Sequence, residues 1–237
     1  TCIEQEEIEK TLLKNYNCIP VFMDEELADL HGNSFCNSIL WPVLHYQTKN
    51  IDFTSNVWNA YVQANELFAQ KLRQILQPND LVWIHDYHLM LLAKKLKQYT
   101  SETVRVGFFL HTPFPSAEIF QILPPTNELL KGMLANDLIA FHTYDYMRHF
   151  ISNCTILLGA FSIGDSILWN GRKISVQVIP IGIDPDKFRE GVKSEKVLQM
   201  VKKIKAKQQD KIIFLGVERL DYIKGMQNKL IAFEKFL

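Results

Sequence analysis

Short apolar runs alternate with amphipathic segments over most of this chain, and the connections between the runs are too long for hairpins. The runs are LVWIH at 81–85, VRVGFFL at 104–110, DLIAFH at 137–142 and VQVIPI at 176–181, with CIPVFM at 18–23 as an earlier one. Between them lie stretches with helical spacing, at 4–15, 57–76, 126–134 and 144–159. A crossover of helical length returns the chain to the same edge of a sheet, so the pattern predicts an α/β fold with a mostly parallel sheet and helices on both faces. One connection departs from it. Asn170-Gly171 is a two-residue hairpin turn signal, and it predicts an antiparallel pair within SILWNGRKISVQV.

The predicted strands end in polar residues of ligand type: His85 and Asp86, His111, His142 and Asp184. In an open α/β sheet the carboxyl edge of the strands is where ligands bind, so these residues should line one crevice. Each also has a plainer reading. Asp86 could cap a following helix, and His111 could be a structural histidine pinned between a strand and Pro113. Trp41 is either a core residue or a platform for a sugar ring.

Hydrophobic residues make up 47% of the 237 positions, enough for a sizeable core. Lys plus Arg and Asp plus Glu both number 26, so no overall basic field argues for a nucleic-acid partner. The lysines of LAKKLKQ and VKKIKAKQQDK sit on helical repeats and read as solvated faces. Four cysteines, Cys2, Cys18, Cys36 and Cys154, are scattered without a C-x-x-C pair. That argues against structural zinc and for free thiols in a reducing, cytoplasmic compartment. His85 and His88 have a ligand-like spacing but lack a third ligand nearby, so no metal is expected. No stretch approaches the about 18 apolar residues of a membrane span, and no signal peptide opens the chain.

After GIDPDKF the pattern restarts. A charged helix at 193–208 leads to a strand-like run, KIIFLGVERLDYIKG, and then to a helix start. This predicts two domains: a Rossmann-like one over 1–188, and over 189–237 a linker helix with the first strand, loop and helix of another. One strand and one helix cannot bury a core of their own. The chain therefore reads either as a piece of a longer protein or as one whose last element docks on the first domain. Arg219 and Lys224, on a loop just before that helix, suit a diphosphate, although no P-loop is present. The plainer reading is a surface arginine paired with Glu218 or Asp221.

NSILWPVLHY, VWIHDYHLML, VGFFLHTPFPSAEIF, VIPIGIDP and VERLDYIKG occur in this order. Together they resemble the trehalose-6-phosphate synthases, retaining glycosyltransferases of the GT-B fold, and the resemblance runs from about residue 15 to the end. It implies glucosyl transfer from UDP-glucose to glucose 6-phosphate, giving trehalose 6-phosphate and UDP, without a cofactor or metal. Residue by residue, it implies that Asp86 binds the acceptor sugar and that Trp41 stands near the acceptor ring. Trp41 and Thr112 would select the anomer. His111 would contact the donor glucose, and Arg219 and Lys224 the donor diphosphate, with these last three as the catalytic set.

The sequence departs from the family at one site residue. Where the family usually has Tyr ahead of the tryptophan motif, HGNSFCNSILWP has Gly32. That tyrosine helps hold acceptor phosphate. The family's remaining donor-binding and phosphate-binding residues fall outside these 237, so the chain alone is expected to be inactive. The rival reading is a non-catalytic, synthase-like module that binds sugar phosphate or a regulatory partner. An oligomer and a trehalose-phosphatase partner stay open. Glycogen and sucrose-phosphate synthases share the His-Asp pair and a late Arg…Lys pair, but not LWPVLHY with HTPFP.

Overall fold

The computed structural model describes residues 2–49, 51–98, 104–208 and 211–237. It divides the chain into two compact units, Thr1–Pro180 and Ile181–Leu237.

The first unit opens with helix α1 (Cys2–Tyr16) and α2 (Glu25–Asp29), whose first turn is capped by the Asp24 carboxylate on the Leu27 N–H. The chain then widens into a π-helical segment, Leu30–Leu40, and tightens again at α3 (Trp41–Leu44), where Pro42 fits the first turn. A π-helix of this length is unusual, and such geometry often accompanies functional sites. The long α4 (Ser55–Ile75) buries Val57, Ala60, Tyr61, Ala64, Asn65 and Ala69. These recur at helical spacing, and the three alanines let the helix axis lie close to its neighbours.

β1 (Leu81–His85) follows, then a 3₁₀ turn at Tyr87–Leu89 and α5 (Leu92–Lys97). β2 (Arg105–Phe109) leads through α6 (Ala117–Phe120) and α7 (Thr126–Met133) to β3 (Leu138–Phe141), and α8 (Tyr144–Leu158) to β4 (Phe161–Ile163). β5 (Ser166–Trp169) and β6 (Arg172–Val178) close the unit. The sheet order is β1-β2-β3-β6-β5-β4. The first four strands are parallel, and β5 and β4 extend the sheet antiparallel. Asn170 (φ 49°) and Gly171 (φ 75°) turn the β5–β6 hairpin, as their sequence signal requires. Gly132 answers a different need. A Cβ there would stand 2.6 Å from the Met90 carbonyl oxygen, so only glycine lets α7 approach the start of α5.

Residues 18–23, expected as a strand, join no ladder. Pro20 at their centre has no N–H to donate. Ile19 and Val21 instead line an apolar groove with Phe68, Leu72, Trp83 and Leu92, so side-chain burial holds this segment without backbone pairing. β1 is consequently an edge strand, with Trp83 half-exposed.

The second unit contains α9 (Pro185–Gly191), capped by Asp184, then α10 (Glu195–Lys207), a 3₁₀ turn at Tyr222–Lys224 and α11 (Met226–Phe236). The strand expected from KIIFLGVERLDYIKG does not form: the described residues 211–225 hold no strand, and Tyr222–Lys224 take the 3₁₀ turn. Ile212, Phe214 and Leu215 are 85–90% exposed there. A lone strand has no ladder to complete, so its sequence preference goes unanswered in this unit.

Candidate active site

The carboxyl edges of β1, β2 and β3 bring together His85, Asp86, His111 and His142, four of the five polar residues expected there; Asp184 instead lies in the second unit, where its carboxylate is taken up by the backbone N–H groups at the start of α9. His85 is the last residue of β1, and Asp86 extends the ladder by donating its N–H to the Phe109 carbonyl at 2.8 Å. Two residues past β2, His111 donates its backbone N–H to the Asp86 carboxylate at 3.3 Å. The His85 Nδ1 and His111 Nε2 lie 3.0 Å apart, so in the neutral pair one of the facing nitrogens carries the hydrogen and the other accepts it. His142, just past β3, sets its ring edge-on to that of His111 at 5.8 Å. Burial holds the His111 pKa below the ordinary value; Asp86 opposes this, and His85 and His142 add to it. The ring is therefore a neutral hydrogen-bonding group near pH 7 rather than a cation.

Asp86 does not cap a helix. Its side chain makes no capping hydrogen bond to the 3₁₀ turn that follows, and its backbone lies at φ 69°, ψ 175°. That region is essentially reserved for glycine, and a residue held there stores strain, commonly at functional sites. Among the described residues its carboxylate accepts one hydrogen bond, the long one from His111, so most of its accepting capacity is not used by the fold.

Trp41 is half-buried, with its ring 4.0 Å from His45 and 5.9 Å from Tyr87, the residue after Asp86. It packs against the edge of the core, beside the β1 exit. Thr112 is buried, its hydroxyl directed to the Pro113 carbonyl at 3.2 Å. Gly32 lies in the π-helical segment, where a Cβ would meet open space. In the second unit Arg219 is well exposed, 3.6 Å from Asp221, which is the surface pairing considered above. Lys224 ends the 3₁₀ turn, and Gly225, at φ 69°, sits just before α11 as its N-cap.

Two buried residues of this region were missed by the sequence reading. The Tyr61 hydroxyl donates to the Tyr87 carbonyl at 2.7 Å and accepts from the Met90 N–H at 3.0 Å. The Asn65 side chain accepts from the Leu91 N–H at 3.1 Å and donates to the His88 carbonyl at 3.2 Å. Their signal was available: two polar groups, four residues apart, on the apolar face of α4.

The glycosyltransferase family 20 model matches residues 2–237. The chain belongs to glycosyltransferase family 20. It is 51% identical over 241 residues to the α,α-trehalose-phosphate synthase (UDP-forming) of Emericella nidulans, covering 99% of this chain and 48% of that protein. The chain thus spans about half the length of the curated relatives it matches. Among solved structures, an E. coli protein bound with UDP-2-fluoro glucose superposes with a TM-score of 0.85 at 34% identity, over 90% of this chain and 47% of that one. The N-terminal domain of Candida albicans trehalose-6-phosphate phosphatase superposes with a TM-score of 0.88 at 35% identity, over 99% and 51%. The matched range includes the strand exits just described, with Asp86, His111 and Thr112 at the edge of the sheet.

Proposed function

We propose that this chain supplies the acceptor side, and the first cations of the donor side, of a retaining glucosyltransferase that makes trehalose 6-phosphate. The reaction joins the glucosyl group of UDP-glucose to glucose 6-phosphate and releases UDP. The observation that carries the reading is Asp86 itself, a backbone-strained carboxylate with spare accepting capacity at a strand's carboxyl edge in a family 20 chain. A carboxylate with spare accepting capacity suits sugar hydroxyls. Trp41 offers an aromatic face beside it, and Trp41 with Thr112 shapes the anomer selected.

The chemistry is electrostatic. The acceptor hydroxyl attacks the donor's anomeric carbon on the face that the diphosphate leaves, through an oxocarbenium-like transition state. The hydroxyl's proton passes to the leaving phosphate oxygen, and the glucosyl–oxygen bond to UDP breaks. His111 hydrogen-bonds the donor glucose as a neutral ring. Arg219 and Lys224 stabilise the charge growing on UDP. The protein brings no cofactor or metal of its own to these steps. The donor analogue on the E. coli neighbour supports a nucleotide-sugar donor. Free Cys18, Cys36 and Cys154 support a reducing, cytoplasmic setting, and among the described residues no helix is long and apolar enough to cross a membrane.

A second reading has its own support. The likeness to the N-terminal domain of a phosphatase, with Gly32 in place of the usual tyrosine, favours a synthase-like module that binds sugar phosphate and regulates a partner. UDP release by a protein of full family length carrying this sequence separates the two. The enzyme reading expects release from UDP-glucose that depends on glucose 6-phosphate, and none from the 237 residues alone. Glucose 6-phosphate binding without UDP release selects the regulatory module.

A further inference from the structure

We propose that Tyr61 and Asn65 are positioning residues that hold the turn after β1 in the strained form which aims the Asp86 carboxylate. The proposal rests on the reading of Asp86 as the acceptor-binding carboxylate. It goes further, by naming what keeps that carboxylate in place.

Asp86 is fixed from both sides. On its amino side its N–H donates to Phe109, so the β1–β2 ladder dictates where the residue begins. On its carboxyl side, α4 grips the next five residues. Tyr61 holds the Tyr87 carbonyl and the Met90 N–H, and Asn65 holds the His88 carbonyl and the Leu91 N–H. His31, from the π-helical segment, reaches the same His88 carbonyl at 3.2 Å through Nε2. Tyr61 and Asn65 are fully buried. Their hydrogen bonds therefore face no competition from water, and each leaves an unmet backbone group if removed.

With both neighbours fixed, the change of direction falls on Asp86, which takes φ 69°, ψ 175°. A chain needing only a turn here would place glycine. An aspartate accepts the strain, and the clamp over-determines the geometry, as strained functional residues require. The same clamp turns the Tyr87 ring toward Trp41. The acceptor carboxylate and its aromatic neighbour are thereby set by one pair of buried side chains.

The strain can be read from melting temperatures of this chain. Elsewhere glycine is less stable than alanine. Here Asp86→Gly should melt several degrees above Asp86→Ala, because only glycine relaxes at positive φ. In a Tyr61→Phe background that gap should shrink by half or more. Should Tyr61→Phe not fold, Asn65→Ala carries the same expectation. In a protein of full family length, Tyr61→Phe or Asn65→Ala should raise KM for glucose 6-phosphate about tenfold and leave KM for UDP-glucose unchanged. No melting gap in the wild-type background, an undiminished gap in the clamp variants, or unchanged KM values would overturn the proposal. If Asp86→Ala retains full transfer while the gap is present, the acceptor reading fails and the clamp stands as structure alone.

Discussion

Asp137 stands at the amino end of β3 and Asp86 just past the carboxyl end of β1, so the parallel part of the sheet has a carboxylate at each edge. Asp137 is fully engaged. It accepts from the Val106 N–H at 2.8 Å, from Lys97 at 2.7 Å and from Arg172 at 2.9 Å. Burial alone raises its pKa, but Lys97, the Val106 N–H and Arg172 together hold it below the usual carboxylate range. Asp86 has an unfavourable backbone and one long hydrogen bond. At Asp137 the hydrogen bonds and ion pairs gather at the amino edge, where the crossovers return, whereas at Asp86 strain gathers at the carboxyl edge, where they leave. A carboxylate whose partners lie within the fold holds the fold together, whereas one left unfilled is available to a ligand.

The largest expected effect tests the open carboxylate. Asp86→Ala should reduce transfer about a hundredfold in a protein of full family length, which corresponds to losing charged hydrogen bonds of about 2–3 kcal/mol. Its melting temperature should stay near wild type, since alanine inherits the same backbone strain. Asp137→Ala should do the reverse. It strands Lys97, Arg172 and the Val106 N–H, at a cost of about 2 kcal/mol, below the range for fully buried pairs because these side chains are partly exposed. Catalytic rate per folded molecule should hold. If Asp137→Ala lost activity with its melting temperature intact, the division between the edges would be wrong.

Acid should separate the edges by pH window. His31 and His88 are held below their ordinary pKa chiefly by burial, as is His111. The unfolded state then binds more protons, so their contribution is present above about pH 6.5 and lost as pH falls below it. Asp137 is depressed too, and its contribution is present above about pH 3.9 and lost as pH falls through the lower folded value. Melting temperature followed from pH 7.5 to pH 3 should fall in two stages, and Asp137→Asn should shrink only the lower one, to which Glu66 beside Lys95 also contributes. The smallest expected effect concerns Gly32. With open space at its Cβ, Gly32→Tyr should fold normally. One added hydrogen bond to acceptor phosphate, about 1 kcal/mol, should lower KM for glucose 6-phosphate severalfold.

Much of the parallel sheet was legible because its strands are apolar runs separated by helical stretches, and the hairpin because Asn170-Gly171 permits no other common turn. Residues 18–23 and 211–220 have the same apolar composition yet form no strands. Composition reports what a segment could bury, and a ladder also needs a partner and a full set of N–H groups. The polar strand exits of the candidate site were visible for the same reason as the strands. The strain at Asp86 was not, because it arises from fixing both of its neighbours, and one of those restraints comes from a helix more than 20 residues earlier. Nor did the sequence show that His85 would meet His111, since that contact depends on the register between β1 and β2.

The central claim is that the carboxyl edge beside Asp86, and not the amino edge beside Asp137, receives the acceptor sugar. A crystal structure of a full-length family 20 protein with this sequence, bound to UDP and glucose 6-phosphate, tests it most directly. The account predicts sugar hydroxyls within hydrogen-bond distance of the Asp86 carboxylate, with the Trp41 ring alongside and the Asp137 cluster unchanged. A sugar bound elsewhere, with Asp86 facing water and its backbone still at positive φ, would contradict it.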